Sequence, residues 1–108
     1  MRNVDIRDTA DRDISEQVQR TLAVIEALAG NEFAGMAPVE LAQATRQRAD
    51  QVVRTLANLI HRGWAEKMDN GRYRLAAKPV QIALAFSASV SRAESQLADV
   101  KNRYTRQP

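Results

Sequence analysis

The sequence predicts a mainly helical chain: three helices closed by a β-hairpin, followed by one more long helix. Three observations carry that expectation. The stretch 40–63, ELAQATRQRADQVVRTLANLIHRG, holds two helical patterns separated by a polar interruption at Thr45-Arg46-Gln47. An Asn-Gly pair, Asn70-Gly71, lies between two short strand-like runs. Beyond Pro79, apolar residues recur every three or four positions as far as Tyr104.

Composition narrows the classes. The chain has 108 residues, 44% of them apolar, enough for one modest core. It has no cysteine, which excludes disulfides, zinc thiolate sites and thiol catalysis and permits a cytoplasmic location. No apolar run is as long as a membrane span, and MRNVDIRDTADRD is too charged for a signal peptide. No membrane partner is expected.

The net charge of +3 is unevenly placed. Residues 1–35 carry four Arg against seven acids, residues 36–78 eight cations against four acids, and residues 79–108 four against two. The basic excess begins where the paired helices begin, as a polyanionic partner requires. A solvated surface carries charge too, so this supports the reading without deciding it.

Residues 1–12 show no apolar period and alternate in charge, the pattern of a flexible arm. Asp13 is a good N-cap with Glu16 three residues on, and Ile14, Val18, Leu22, Ile25 and Leu28 or Ala29 mark one face of a first helix. Gly30-Asn31 ends it. Phe33, in the next loop, is expected to plug the core edge. Met36-Ala37 could pair with the later hairpin, and Pro38 suits the first turn of the second helix. Val39, Leu41 and Ala42 give that helix its apolar positions.

The third helix has the clearest pattern. Val52, Leu56, Leu59 and Ile60 form its apolar stripe, while Gln47, Gln51, Arg54, Asn58 and Arg62 fall on the other side. That second face is long, polar and mostly basic, suited to phosphates and base edges. A short helix, a turn and a longer helix of this kind are the layout of a helix-turn-helix. Any surface helix has a polar face, so the signal gains weight from the residues after Gly63. There, Trp64 to Met68 and Arg72 to Leu75 flank Asp69-Asn70-Gly71. In the second run Tyr73 and Leu75 should face the core, and Arg72 and Arg74 should face out. A hairpin directly after a recognition helix is a wing, so the expected fold is a winged helix-turn-helix over residues 13–78.

Residues 79–108 are expected to form a dimerisation helix. Ala83, Phe86, Val90, Ala93, Leu97, Val100 and Tyr104 make a narrow heptad seam. The competing reading has the helix folding back on its own core, and Ile82, Leu84 and Phe86 at its start are expected to do so.

No residue set suggests an enzyme or a cofactor. His61 is the only histidine and has no Cys or second His with which to hold a metal. It sits at a helix C-terminus, where a structural role is the ordinary one. No phosphate-binding glycine loop is present.

ELAQAT, then VVRTLANLIHRGWAEK, then NGRYRL occur in an order that resembles the N-terminal winged helix-turn-helix domain of the IclR family of bacterial transcription regulators. The likeness covers roughly residues 18–75. Where that family usually has a glycine and often a proline, this chain has Arg46 and Arg48, so a differently built turn is expected. The family's large effector domain has no counterpart within these 108 residues. The resemblance therefore implies DNA binding and not small-molecule sensing.

The leading expectation is a sequence-specific, dimeric regulator that binds double-stranded DNA and represses by occupying an operator. Arg48, Gln51 and Arg54 are the candidates for base edges, because Arg suits guanine and Gln suits adenine. Thr45, Arg46, Gln47, Asn58, Arg72 and Arg74 are the candidates for the DNA backbone, with Arg72 reaching the minor groove from the wing. Two other classes fit the same pattern. One is a phage DNA-packaging or assembly subunit that binds DNA as a larger oligomer, and the other is a winged-helix protein-interaction module.

Overall fold

The computed structural model describes residues 12–106. The expected N-terminal arm therefore lies outside the described residues except for Arg12. The elements run in the order α1 (Glu16–Leu28), α2 (Pro38–Thr45), α3 (Ala49–His61), β1 (Ala65–Lys67), β2 (Tyr73–Leu75) and α4 (Ala77–Thr105). This is a mainly helical winged helix with a further long helix. The chain divides into two compact units at Ala76–Ala77. No helix among the described residues is long and apolar enough to cross a membrane.

Helix α1 starts later than its sequence suggests. Ser15, not Asp13, is the N-cap, and its hydroxyl accepts the Val18 N–H at 3.3 Å. Serine and aspartate cap comparably well, so local chemistry leaves both starts open and packing chooses. Of the expected face, Leu28 and Ile25 do pack inward, but its first half does not. Val24 and Leu28 are fully buried, with Ile25 and Ala27 packed beside them, whereas Ile14, Val18 and Leu22 are about half exposed. The row Ile14-Val18-Leu22 and the row through Val24 and Leu28 are both helical stripes, and only the second meets α2 and α3. Phe33 is 98% exposed, so it plugs nothing.

The core is small and closely shared. Leu28, Leu41, Leu56, Val24 and Val52 are its largest fully buried side chains, one or two from each of the three helices. Each contributes roughly 1.5–3 kcal/mol by leaving water. Leu59 and Ala65 complete the buried set, and Trp64, Tyr73 and Leu75 pack against it from the wing. Ile60 and Val39, counted in the expected stripes, are substantially exposed, while Thr55 is buried in their stead.

Two chain reversals fix α3. Helix α2 opens at Pro38, as expected, with the Glu40 carboxylate accepting the Ala37 N–H at 2.8 Å. It closes with the Gln47 N–H on the Ala42 carbonyl (2.9 Å) and the Arg46 N–H on that of Gln43 (3.4 Å), a Schellman closure. That closure requires a left-handed residue, and the residue is Arg46, at φ 56°. Arg46 is the only non-glycine with positive φ among the described residues. The turn thus keeps the left-handed geometry a glycine would adopt freely, at a cost on the order of 1–2 kcal/mol for a side chain with a Cβ. At the other end of α3 the same closure uses Gly63 (φ +78°), with the Trp64 N–H on the Leu59 carbonyl at 2.8 Å.

The hairpin pairs Ala65 with Leu75, Glu66 with Arg74 and Lys67 with Tyr73. Met68 and Arg72 continue the pairing and enclose Asp69-Asn70-Gly71, with the Gly71 N–H on the Met68 carbonyl at 2.9 Å. Asn70 accepts the Arg72 N–H at 3.0 Å, which steadies this three-residue tip. Met36 pairs with Tyr73 in an isolated bridge, so the expected contact of the 36–37 segment with the hairpin is confined to Met36.

Helix α4 begins at Ala77, before Pro79 rather than after it. Lys78 and Pro79 occupy the first turn, where the missing proline N–H has no helical partner to lose. None of its side chains is buried. Ile82, Leu84 and Phe86, expected to be covered, are instead exposed.

Candidate nucleic-acid interface

The polar side of α3 follows from its buried side. Val52, Thr55, Leu56 and Leu59 turn inward, which leaves Arg48, Asp50, Arg54 and Asn58 in water. Arg48 is the N-cap and its side chain is 75% exposed; that of Arg54, in the second turn of the helix, is 69% exposed. Asp50 lies between them. Its carboxylate takes a two-pronged bond from Arg48, Nε at 3.1 Å and Nη2 at 3.0 Å, and a longer contact from Arg54 Nη2 at 3.5 Å. Exposed pairs of this kind add little stability. Their effect is to hold two guanidinium groups on one side of the first two turns, the part of a recognition helix that reaches base edges.

Gln51 is half-buried, and its Oε1 accepts the Arg48 N–H at 3.4 Å. The amide nitrogen is thus the part it turns away from its own backbone. Pairing with adenine uses both amide atoms, so that role requires this bond to open.

The candidate backbone contacts divide into two groups. Arg46 is exposed at the left-handed turn residue. Thr45, Gln47 and Asn58 each use one side-chain donor within the chain, which for the Thr45 hydroxyl is its only one. The Thr45 hydroxyl donates to the Leu41 carbonyl (2.6 Å), Gln47 Nε2 to the Arg20 carbonyl (3.2 Å), and Asn58 Nδ2 to the Arg54 carbonyl (2.9 Å).

The wing arginines are placed differently from their expected outward reach. Arg72 does not extend from the tip. Its guanidinium turns back on the 34–35 loop, with Nε 3.0 Å from the Ala34 carbonyl and Nη2 3.1 Å from that of Gly35. The same Nη2 lies 2.6 Å from the Glu40 carboxylate on α2. Arg74 bonds its cross-strand partner Glu66 at 2.6 Å. Alternation along a strand sets the side of the sheet and not the direction of a long side chain, and carbonyls and carboxylates beside the wing draw both arginines in.

Two further cations lie near this surface, and neither stands out in the sequence. Lys67 is exposed on β1, its ammonium 5.9 Å from the centre of the Tyr73 ring. Arg20 on α1 lies beside Gln51 and Arg54. The correct register of α1 would have revealed Arg20, because it shares a helical face with Val24 and Leu28.

The seam residues of α4 are all accessible. Phe86, Val90, Leu97, Val100 and Tyr104 are between 40% and 82% exposed, and Ala93 lies in the same exposed run.

The solved structures similar in fold include two that cover most of this chain. One is the MarR family transcriptional regulator SPO1453 from Silicibacter pomeroyi DSS-3, 19% identical over 91% of this chain and 72% of that one, with a TM-score of 0.54. The other is a mutant of the S. aureus protein MepR, 15% identical over 86% of this chain and 70% of that one, with a TM-score of 0.51. No protein-family model matches the chain, and no curated protein does. At these identities the likeness speaks for the fold and does not single out the IclR type. The chain carries a winged helix-turn-helix followed in sequence by a long helix.

Proposed function

We propose that the chain is a sequence-specific, double-stranded-DNA-binding transcription regulator that acts as a dimer and represses by operator occupancy. The observation that carries the reading is the exposed Arg48-Asp50-Arg54 array on the first two turns of α3, backed by a fully buried apolar stripe. An exposed array on a rigid helix suits the major groove, where Arg48 and Arg54 meet guanine edges. Arg46, held at a strained backbone position, is the first candidate for a phosphate, since strain of this kind is retained where a side chain is needed. Gln47 before α3 and Asn58 within it each keep a second amide N–H as further backbone contacts, and Thr45 joins them only if its hydroxyl leaves the Leu41 carbonyl. At the wing, Lys67 is the accessible cation, and Arg72 and Arg74 contribute by holding the wing's shape. Binding rather than catalysis is the activity, with the nucleoid in the cytoplasm as its place. The similar structure named as a MarR family transcriptional regulator supports this reading through the fold it shares.

Selection of bound sites from random duplex DNA tests the reading. A recovered consensus supports it. Binding without a consensus points to an assembly subunit, and absence of binding to any duplex at low salt points to a protein-interaction module.

The dimer rests on α4. Twenty-nine residues make a helix about 44 Å long. Its seam places large apolar side chains in water, and a second copy of the same seam would bury them. Replacing both Val90 and Leu97 by Glu puts like charges in that seam and is expected to halve the particle mass in sedimentation. A wild-type monomer would contradict the dimer, and a ring-sized particle would favour the assembly subunit.

A further inference from the structure

The inward face of α1 continues past its apolar part. Arg20 and Gln17 precede Val24 on that side by one and two turns; Arg20 is half-buried and Gln17 exposed, and both border α3. With Gln51, Arg54 and Thr55 they line a cleft of about 60 Å³. A single water needs roughly 10–15 Å³ by this kind of measure, so the cleft has room for more than one oxygen-sized atom. All five lining residues carry hydrogen-bond donors and none is acidic. Gln51 has its oxygen turned on the Arg48 N–H, which leaves its amide nitrogen for the cleft. The backbone of Arg20 is fixed from the turn by Gln47 at 3.2 Å. Two acids stand at the rim, Glu16 at 3.6 Å from Arg20 and Asp50 at 3.5 Å from Arg54. Glu16 is 91% exposed and both contacts are long, so water screens them and a closer anion displaces them.

We propose that this cleft seats a phosphate of the DNA backbone, with Arg20 of α1 as its anchor and Gln17 and Gln51 as neutral donors. The proposal rests on the DNA-binding reading above and extends the interface beyond the helix-turn-helix and the wing. Arg54 also borders the cleft, but its side chain is 69% exposed and stays available to the groove. Arg20 and Arg54 therefore have different roles: one holds the duplex whatever its sequence, and the other discriminates.

The experiment compares wild type, Arg20→Ala and Arg20→Gln in equilibrium binding to two duplexes across a range of salt. One duplex is that recovered by random-site selection, and the other is of mixed sequence. Thermal unfolding accompanies each variant, and Arg20→Gln keeps a donor and most of the side-chain bulk should alanine loosen α1. The expected result is a loss of affinity on the order of tenfold for both duplexes. The slope of log K against log salt should also fall by about one unit. Unchanged affinity and slope in folded variants overturn the cleft and leave the DNA-binding reading intact. A loss confined to the selected duplex also overturns it, because Arg20 would then read bases. If wild type binds neither duplex, the DNA-binding reading fails and the cleft with it.

Discussion

Arg54→Ala is expected to lower affinity for the selected duplex ten- to a hundred-fold and to leave affinity for mixed-sequence DNA nearly unchanged. The magnitude follows from a two-pronged contact to guanine O6 and N7, which discriminates by roughly 1–3 kcal/mol. The selectivity follows from position. Val52 and Leu56 are buried on one side of α3, and Arg54 leaves the other side in the second turn of the helix. Folding should be almost untouched, since the side chain is 69% exposed and its one ion pair, to Asp50, is 3.5 Å long. Such an i, i+4 pair contributes about 0.3–0.5 kcal/mol. Competition binding at fixed salt is the measurement. Equal losses on both duplexes would make Arg54 a backbone anchor and rotate the reading surface by part of a turn. No loss on either would turn that face away from DNA and favour the protein-interaction module.

Gly35→Ala is expected to destabilise the first unit by about 2–5 kcal/mol, the largest effect on folding foreseen for a single added methyl group. Two costs combine. Gly35 has φ +69°, where a Cβ costs about 1–2 kcal/mol. A Cβ there would also meet the Met68 sulfur, with Arg72 Cβ at 3.0 Å and the Tyr73 carbonyl at 3.1 Å. Overpacking of this kind costs roughly 1–3 kcal/mol more. The Met68 thioether can move aside, but the Tyr73 carbonyl belongs to a backbone already paired with Met36. In a domain this small the loss amounts to about ten degrees or more in Tm. Thermal unfolding followed by circular dichroism reads it, and a Tm within a few degrees of wild type would show that the base of the wing yields easily.

The parts of the fold legible in the sequence are those where one local signal has no competitor. The stripe Val52-Leu56-Leu59 has a single buried face available, Pro38 a single good position, and Asn70-Gly71 a clear turn role. Helix α1 offers two apolar rows of similar quality, and only contact with α2 and α3 decides between them. That ambiguity hides Arg20, which a helical wheel with Ile14-Val18-Leu22 as its inner face leaves in solvent. The turn after α2 shows a different limit. An arginine replaces the glycine expected by resemblance, yet the left-handed closure persists because its two hydrogen bonds and the packing of Leu41 and Val52 require it. The positions of Arg48 and Arg54 are legible from periodicity. The positions of Arg72 and Arg74 are not, because a guanidinium reaches several ångströms and settles on whichever carbonyls and carboxylates the tertiary fold brings near.

Met36 exchanges both of its backbone hydrogen bonds with Tyr73, at 2.8 Å each, and Arg72 next to it is tied to Ala34, Gly35 and Glu40. The hairpin is thereby stitched to the segment entering α2, more than thirty residues earlier in the chain. A wing attached only through its own turn could fray independently, and its amides would exchange with solvent at the rate of a loop. Stitched in this way, it opens when the entry to α2 opens, which in turn releases Leu41 from the core. The Met36 and Tyr73 amides should therefore exchange hydrogen as slowly as those of α3, with Asn70 and Gly71 at the tip exchanging fast. Wing and recognition helix would then form one cooperative unit, so that a duplex gripping either one would slow the opening of both.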